Sequence, residues 1–246
     1  MDRSIWFLKR CDLFERLDET EAAQLNRHAL VRRFKKRALV YCPTEPGQSV
    51  MVLASGRVKI KDVTLDGRET ILAFIEEGEL FGELALLDDQ ARQEYAEAVE
   101  DSEVLLIPRE DLLALMETRA GLSLSITKLM GLRRQRIENR LRHVLFLSSR
   151  DRMLRLLIEL AEAHGQMVGI DTEIRFPLSH QELASLIGVT RETVTITLGQ
   201  LEEVGLVRVQ RRKVIIPSMR KLRAEAQGQS APAEVPSPRR RRAGEN

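Results

Sequence analysis

The stretch SHQELASLIGVTRETVTITLGQLEEVGLV, residues 179–207, can be parsed with local rules alone. Ser179 and Glu182 have the spacing of a capping box, and Leu183, Leu186 and Ile187 supply an apolar face behind them. Gly188 permits a left-handed turn, Thr190 stands where it caps a second helix, and Gly205 marks that helix's end. The expectation is helix, short turn, helix. In the second helix Val194, Leu198 and Leu201 share one stripe, with Thr197 beside them. Arg191, Glu192, Thr195 and Ile196 cannot lie on that stripe and must project elsewhere.

In a helix-turn-helix, the first residues of the second helix enter the DNA major groove. There arginine donates two hydrogen bonds to guanine O6 and N7, and glutamate accepts from cytosine N4. Thr195 or Ile196 would then lie against a thymine methyl. The plain alternative is a solvated Arg-Glu pair on a surface helix, worth a few tenths of a kcal/mol. The next segment favours DNA: LVRVQRRKVIIP, residues 206–217, reads as strand, basic turn, strand, with Arg211, Arg212 and Lys213 at a tip suited to phosphates. From Leu206 to Arg223 there are seven basic residues and no acidic one. Such a local concentration suits a polyanion.

Upstream the pattern is different. From about Phe34 to Pro108 short alternating runs recur: Val50, Val52 and Ala54, then Val58 and Ile60, then 71–75, then Ala96 and Ala98, then Val104 and Leu106. Pro46-Gly47, Ser55-Gly56, Asp66-Gly67 and Glu77-Gly78 separate them, and this spacing of strands and turns predicts an antiparallel barrel or jelly roll. Before it, LDETEAAQL reads as a short helix capped by Asp18 with Glu21 three residues on. After Pro108 a short helix runs to Gly121, and a long one follows over 122–147, ~40 Å by its rise per residue. In it Ile126, Met130, Arg133, Ile137, Arg140, Val144 and Leu147 recur at intervals of four and three, a heptad-like seam on which two copies would pair. The alternative is a helix packed on its own barrel. Ser148-Ser149 offers a break and a new cap, and the next helix closes at Gly165.

The chain has 246 residues, room for two domains with real cores. At 43% hydrophobic and 31% charged it has the composition of an ordinary soluble protein, and its net charge of +2 points to no partner by itself. Cys11 and Cys42 are too far apart for a chelating pair and too few for a disulfide framework, so both read as idle thiols. Charge interrupts the N-terminus every few residues, so neither a membrane span nor a signal segment is expected and the cytoplasm is the expected location.

Two motifs in order, GELFGELALL at 78–87 and VTRETVTITLGQLEEVGLV at 189–207, make the chain resemble the cyclic-AMP receptor protein / fumarate-nitrate-reduction regulator (Crp/Fnr) superfamily of bacterial transcription factors, over roughly 13–217. The resemblance implies an α+β chain: a cyclic-nucleotide-binding-type β-barrel (double-stranded β-helix or jelly roll) at 1–109, a helix pair with the long dimerisation helix at 110–147, and a winged helix-turn-helix at 148–217; beyond it, the composition of 218–246, with the run from Arg239 to Arg242, reads as a disordered basic tail. The resemblance implies a homodimer on palindromic double-stranded DNA with TGTGA-like half-sites. Arg191 and Glu192 match the family's base readers, while Ile196 stands where relatives carry a third, arginine. Ser179, His180 and Thr190, at the helix starts, complete the DNA-facing set with Thr195 and the wing. It also implies an effector cassette: Gly82, Glu83 and Leu84 match the turn whose glutamate takes the ribose, and Arg92 falls near the phosphate-binding arginine. Gln93 follows it in place of a hydroxyl residue, Ile137 and Glu138 stand where a Thr-Ser pair holds adenine, and Arg133 is placed to contact an anion or to neutralise Glu83.

The effector is thus a cyclic nucleotide, another small molecule, or absent, the last leaving control to expression level. A haem- or redox-sensing member is a further alternative, with His28 and Cys42 in question. AHGQMVGID, residues 163–171, occupies the region where relatives touch RNA polymerase, so activation is the expected output. No catalytic or metal residues are expected. A metal-dependent enzyme of similar strand pattern needs histidines inside the barrel, and none lies between His28 and His143. A cyclic-nucleotide module of the kinase or channel type would lack the winged helix.

Overall fold

The computed structural model describes residues 11, 14, 17–87, 91–174, 179–210 and 213–228. By contacts the chain divides into two compact units, 1–146 with 181–190, and 147–180 with 191–246.

In the first unit, helix α1 (Glu19–His28) has the expected capping box, with Asp18 accepting from the Thr20 and Glu21 amides and the Glu21 side chain accepting from the Asp18 amide. Eight strands follow in two antiparallel sheets: β1 (Leu30–Phe34), β8 (Ser102–Pro108), β3 (Ser49–Ser55) and β6 (Leu80–Phe81) in one, β2 (Leu39–Tyr41), β7 (Tyr95–Ala98), β4 (Val58–Val63) and β5 (Glu69–Ile75) in the other. Strand β3 explains the layering. Its even positions Val50, Val52 and Ala54 join one core with Leu25, Leu105, Ile107, Leu112 and Ile126, while Met51 and Leu53 join a second with Tyr41, Val58, Ile75 and Phe81. A strand with both faces covered carries apolar side chains on both sides of the period-2 alternation. At about 25 cal/mol per Å2 of apolar surface removed from water, such burial is the main stabilising contribution to the barrel.

Strand β1 was not legible as a strand, because LVRRF carries two arginines and lies mostly exposed. It forms through its partner: Arg33 lies opposite Glu103 of β8, and their side chains meet at 2.7 Å. Cross-strand pairs of opposite charge stabilise an edge strand, and its charges discourage further pairing. On β4, Val58 and Ile60 face the core, whereas Lys59 and Lys61 turn to the other face. There Lys61 meets Glu69 and Glu97, each at 2.5 Å, and Lys59 meets Glu97 at 3.1 Å.

Pro108 precedes helix α2 (Arg109–Thr118), and the long helix α3 (Ala120–Phe146) follows after one intervening residue. Its 27 residues span ~40 Å. The seam expected for a partner copy is divided between two jobs. Ile126 is 1% exposed inside the barrel core, and Met130, half-buried, packs against the same core. Farther along, Ile137, Leu141, Val144 and Leu145 are exposed. Leu147 lies in the break after α3, where Ser148 caps the next helix by accepting from the Asp151 amide at 3.1 Å. Helix α5 (His180–Ile187) belongs, from Gln181 on, to this first unit.

The second unit is built around α4 (Ser149–His164), whose buried Met153, Leu154, Leu157, Leu160 and Ala161 form its inner stripe. A four-stranded antiparallel sheet takes β9 (Gly165–Val168), β10 (Asp171–Ile174), β11 (Arg208–Gln210) and β12 (Lys213–Ile216), in the order β11-β12-β10-β9. Helices α6 (Arg191–Glu203) and α7 (Met219–Gly228) pack on α4. Helix α7 corrects the expectation of disorder from 218 onward. Leu222 and Ala226, one turn apart, are buried, while Arg223 reaches Glu162 and Arg150 reaches Glu225 at 2.8 and 2.7 Å. A polar, basic composition hid an apolar pair with i, i+4 spacing. The run Arg239 to Arg242 lies outside the described residues.

Candidate nucleic-acid interface and effector cassette

Helix α5 ends in the left-handed turn expected of Gly188, φ +67°, and the Val189 amide reaches back to the Ala184 carbonyl at 3.1 Å. That is the six-to-one closure of a Schellman cap, and Gly205, φ +71°, ends α6 the same way with Leu206 bonded to Leu201. In α6, Val194, Thr197, Leu198 and Leu201 are buried, as the stripe required. Arg191, Glu192, Thr195 and Ile196 are exposed, Ile196 at 62%. Thr195 Oγ1 donates to the Arg191 carbonyl one turn back at 3.1 Å and lies 2.9 Å from His180 Nδ1. Ser179 and Thr190 are exposed and His180 half-buried.

The wing forms as a hairpin with Gln210 opposite Lys213. Its tip, Arg211 and Arg212, lies outside the described residues. Lys213 is exposed but engaged by Glu173 of β10 at 2.6 Å, and Arg208 is paired with Asp171. Two basic residues of the acid-free run, Arg208 and Lys213, therefore meet counter-charges across the sheet, a neutralisation invisible to a linear reading.

The cassette stands at the end of β6. Gly82 adopts φ +69°, where a Cβ would come within 2.8 Å of Arg92 Nη1, so glycine both makes the left-handed turn and leaves the guanidinium its place. The 3₁₀ turn Glu83–Leu86 follows. Glu83 is 7% exposed and accepts from Arg133 of α3, whose second nitrogen donates to the Leu80 carbonyl at 2.5 Å. Arg92 is 8% exposed; it donates to the Ser49 carbonyl at 2.5 Å and the Gly82 carbonyl at 3.4 Å, and lies 4.2 Å from the centroid of the Tyr41 ring. That stacking is a cation–π contact. Tyr41 donates to Glu94 at 3.1 Å; burial first, and then the Glu94 charge, push its phenol well above the usual range. Leu84 and Gln93 line a cleft of about 210 Å³ beside Arg92, with Gly47, Leu87 and Glu94. Ile137, one turn beyond Arg133, is 59% exposed.

Gly82, Glu83, Arg92 and Arg133 are thus brought together as expected. Tyr41 and the Ser49 carbonyl were missed, because nothing local in VYCPTEPGQS signals the stacking of an arginine fifty residues away. The second seam arginine, Arg140, donates to the Ile71 carbonyl of β5 at 2.6 Å and to the Ser185 and Leu186 carbonyls of α5, the former at 3.3 Å. The last carbonyls of a helix lack intrahelical donors, and a cation there also complements the helix dipole. Both arginines in the seam serve the first unit.

The residues in question for haem or redox sensing are each held by a carboxylate. His28 meets Asp111 at 2.9 Å, and Cys42 donates to Glu45 at 3.0 Å. That hydrogen bond, and burial after it, push the thiol up, away from a reactive thiolate. Among the described residues no group of three or more His, Cys, Asp or Glu side chains is placed to hold a metal, and no helix is long and apolar enough to cross a membrane.

Family models match both parts of the chain: a cyclic nucleotide-binding domain over residues 31–119 and a Crp-like helix-turn-helix domain over 151–225. A "Cyclic AMP receptor protein" of Thermus thermophilus is 38% identical over 163 residues, 66% of this chain and 72% of that one. A "CRP-like cAMP-activated global transcriptional regulator" of Mycobacterium tuberculosis is 26% identical over 219 residues, 89% of this chain and 98% of that one. Among solved structures, the c-di-GMP-responsive global regulator CLP of Xanthomonas campestris superposes with a TM-score of 0.73 at 25% identity, covering 82% of this chain and all of that one. A nucleotide-binding type of barrel followed by a helix-turn-helix, matched jointly by these relatives, accounts for both halves at once: the chain belongs to the Crp/Fnr family of DNA-binding transcription regulators.

Proposed function

We propose that the protein is a cytoplasmic, homodimeric regulator that reads a palindromic, TGTGA-like site through α6 and acts as an activator in contact with RNA polymerase, without catalysis of its own. The observation that carries this reading is the division of α6: Val194, Leu198 and Leu201 are buried, and Arg191 and Glu192 are exposed on its first turn. An exposed arginine and glutamate at the start of a helix are within reach of base edges, where arginine can donate and glutamate accept. The exposed row Ile137, Leu141, Val144 and Leu145 on the second half of α3 supports a second copy as partner, since a long helix with an uncovered apolar face gains by pairing. Two-fold symmetry then sets two reading helices about one DNA turn, ~34 Å, apart. Met167, Val168 and Ile170, exposed on the β9–β10 hairpin, support the polymerase contact.

Selection of duplexes from a random pool by the purified protein tests this reading. The enriched site is expected to be an inverted repeat, bound by a dimer. Leu141→Glu is expected to give monomers by light scattering and to weaken the selected site strongly. Enrichment of an asymmetric single site, or tight binding by a monomer, overturns the dimeric reading.

A second reading, control without a cyclic nucleotide, is favoured by the cassette itself. Glu83 and Arg92, the groups that would hold ribose and phosphate, already spend their bonds on Arg133 and on the Ser49 and Gly82 carbonyls. The named relatives differ in their own effectors, cyclic AMP in two and c-di-GMP in another. A ligand that binds only the folded state at a hundred times its Kd stabilises by about 2.7 kcal/mol. Cyclic AMP, cyclic GMP and c-di-GMP at millimolar concentration are therefore expected to leave the thermal midpoint unchanged, and a rise with any of them sinks this second reading.

A further inference from the structure

We propose that His180 is a positioning residue for base readout, holding the start of α6 through Thr195 so that Arg191 and Glu192 project from a fixed backbone. The proposal rests on the reading of α6 as the DNA-reading helix.

The atoms set the direction of the tie. A threonine hydroxyl has one proton and two lone pairs. Thr195 Oγ1 gives its proton to the Arg191 carbonyl at 3.1 Å, so toward His180 Nδ1, at 2.9 Å, it can only accept. In that arrangement His180 Nδ1 carries the hydrogen, and Nε2 takes no part in the tie. The hydroxyl of Thr195, singled out by sequence as a base contact, is already committed within the protein. What it offers a base is its γ-methyl, a surface for a thymine methyl.

Location gives the tie its purpose. Helix α6 begins at Arg191, so both readers sit on its first turn, where backbone amides have no intrahelical acceptor and helices fray. A threonine that bonds back to the carbonyl four residues earlier also tends to bend its helix. A donor from outside α6, at the opening residue of α5, meets that same hydroxyl and limits how the turn can move. Two hydrogen bonds from one guanidinium to one guanine tolerate little displacement, so anything that steadies the Arg191 carbonyl steadies the reader.

Two conservative variants separate positioning from direct contact. An asparagine amide nitrogen reaches the place of histidine Nδ1, and a glutamine nitrogen that of Nε2. The experiment measures, for the full-length protein, affinity for a duplex it has selected from a random pool and for a scrambled duplex, with the thermal midpoint alongside. His180→Gln and Thr195→Val are each expected to lower the selected-to-scrambled ratio about tenfold, the scale of one hydrogen bond, with scrambled affinity and midpoint unchanged. The double variant should lose no more than either single one, while His180→Asn stays within about twofold of the parent. The proposal is overturned if His180→Gln keeps the ratio, if His180→Asn alone loses it, or if the two losses add. Arg191→Ala distinguishes the two levels: an unchanged ratio there overturns the reading of α6 and the tie with it, whereas a loss there with His180→Gln intact removes the tie alone.

Discussion

At the turn after β6, Glu83 is buried against Arg133, and Arg92 is folded onto Tyr41 and two backbone carbonyls; at the start of α6, Arg191 and Glu192 stand exposed beside the tie of Thr195 to His180. Both places pair arginine with glutamate, and both were singled out in sequence as recognition sites. They differ in burial: Glu83 and Arg92 are buried, whereas Arg191 and Glu192 are exposed. A buried ion must be paired where it stands, because an uncompensated charge in a low dielectric is costly. An exposed ion is reached by water, which a base edge can displace. Residue type alone therefore does not show whether a polar group can act on a partner; its burial and existing bonds do.

The sharpest way to break the comparison is to remove one partner from each site. Arg133→Met leaves Glu83 buried without its guanidinium and is expected to cost about 3–5 kcal/mol in urea unfolding, the range for a broken buried pair. A loss below about 1 kcal/mol would mean that Glu83 is solvated, and the contrast would collapse. Arg191→Ala is expected to leave stability alone, within about 0.5 kcal/mol, while costing about 1–3 kcal/mol on the selected duplex by gel shift. If unfolding and binding change the other way round, α6 is a structural helix.

The lysine pair of β4 extends the comparison to a third place. Burial raises the Glu97 carboxyl, but hydrogen bonds from Lys61 and Lys59 outweigh it and leave its pKa below the ordinary value of 4.5. Lys61 is the mirror case: burial opposes its charge, and Glu69 and Glu97 nevertheless hold its pKa above the ordinary 10.5. For a carboxylate lowered on folding, the stabilisation is complete above the unfolded pKa and lost as pH falls through the folded one. Thermal melts should therefore fall steadily below about pH 4.5, and Glu97→Gln should flatten that acid limb. An acid limb of unchanged slope in the variant assigns the acid sensitivity elsewhere. The smallest effect is expected at the wing. Lys213 is shared with Glu173, and Lys213→Ala should reduce the slope of log K against log salt by about one phosphate, with no change in sequence preference. A slope that does not move would keep Lys213 with Glu173 on DNA.

Much of the DNA-reading segment was legible because it depends on neighbours in sequence. The caps at Gly188 and Gly205, the buried stripe of Val194, Leu198 and Leu201, and the exposure of Arg191 follow from helix period and from the conformations glycine permits. The capping box at Asp18 and the alternation in β3 were readable for the same reason. The long helix was legible, but not that the barrel would cover Ile126 and part of Met130 in its first half. A seam of period three and four shows that a face is apolar without showing what covers it, and Ile126 and Met130 went to the barrel.

Local order was thus set by the chain itself: which segments are strand or helix, where they stop, and which side chains share a face. Partnership was decided only when distant segments met: Arg133 with Glu83, Arg92 with Tyr41, Lys213 with Glu173, and His180 with Thr195. The division is physical, since backbone geometry and side-chain period act over a few residues, while ion pairs and hydrogen bonds act through space and take whichever partner the fold brings within about 3 Å.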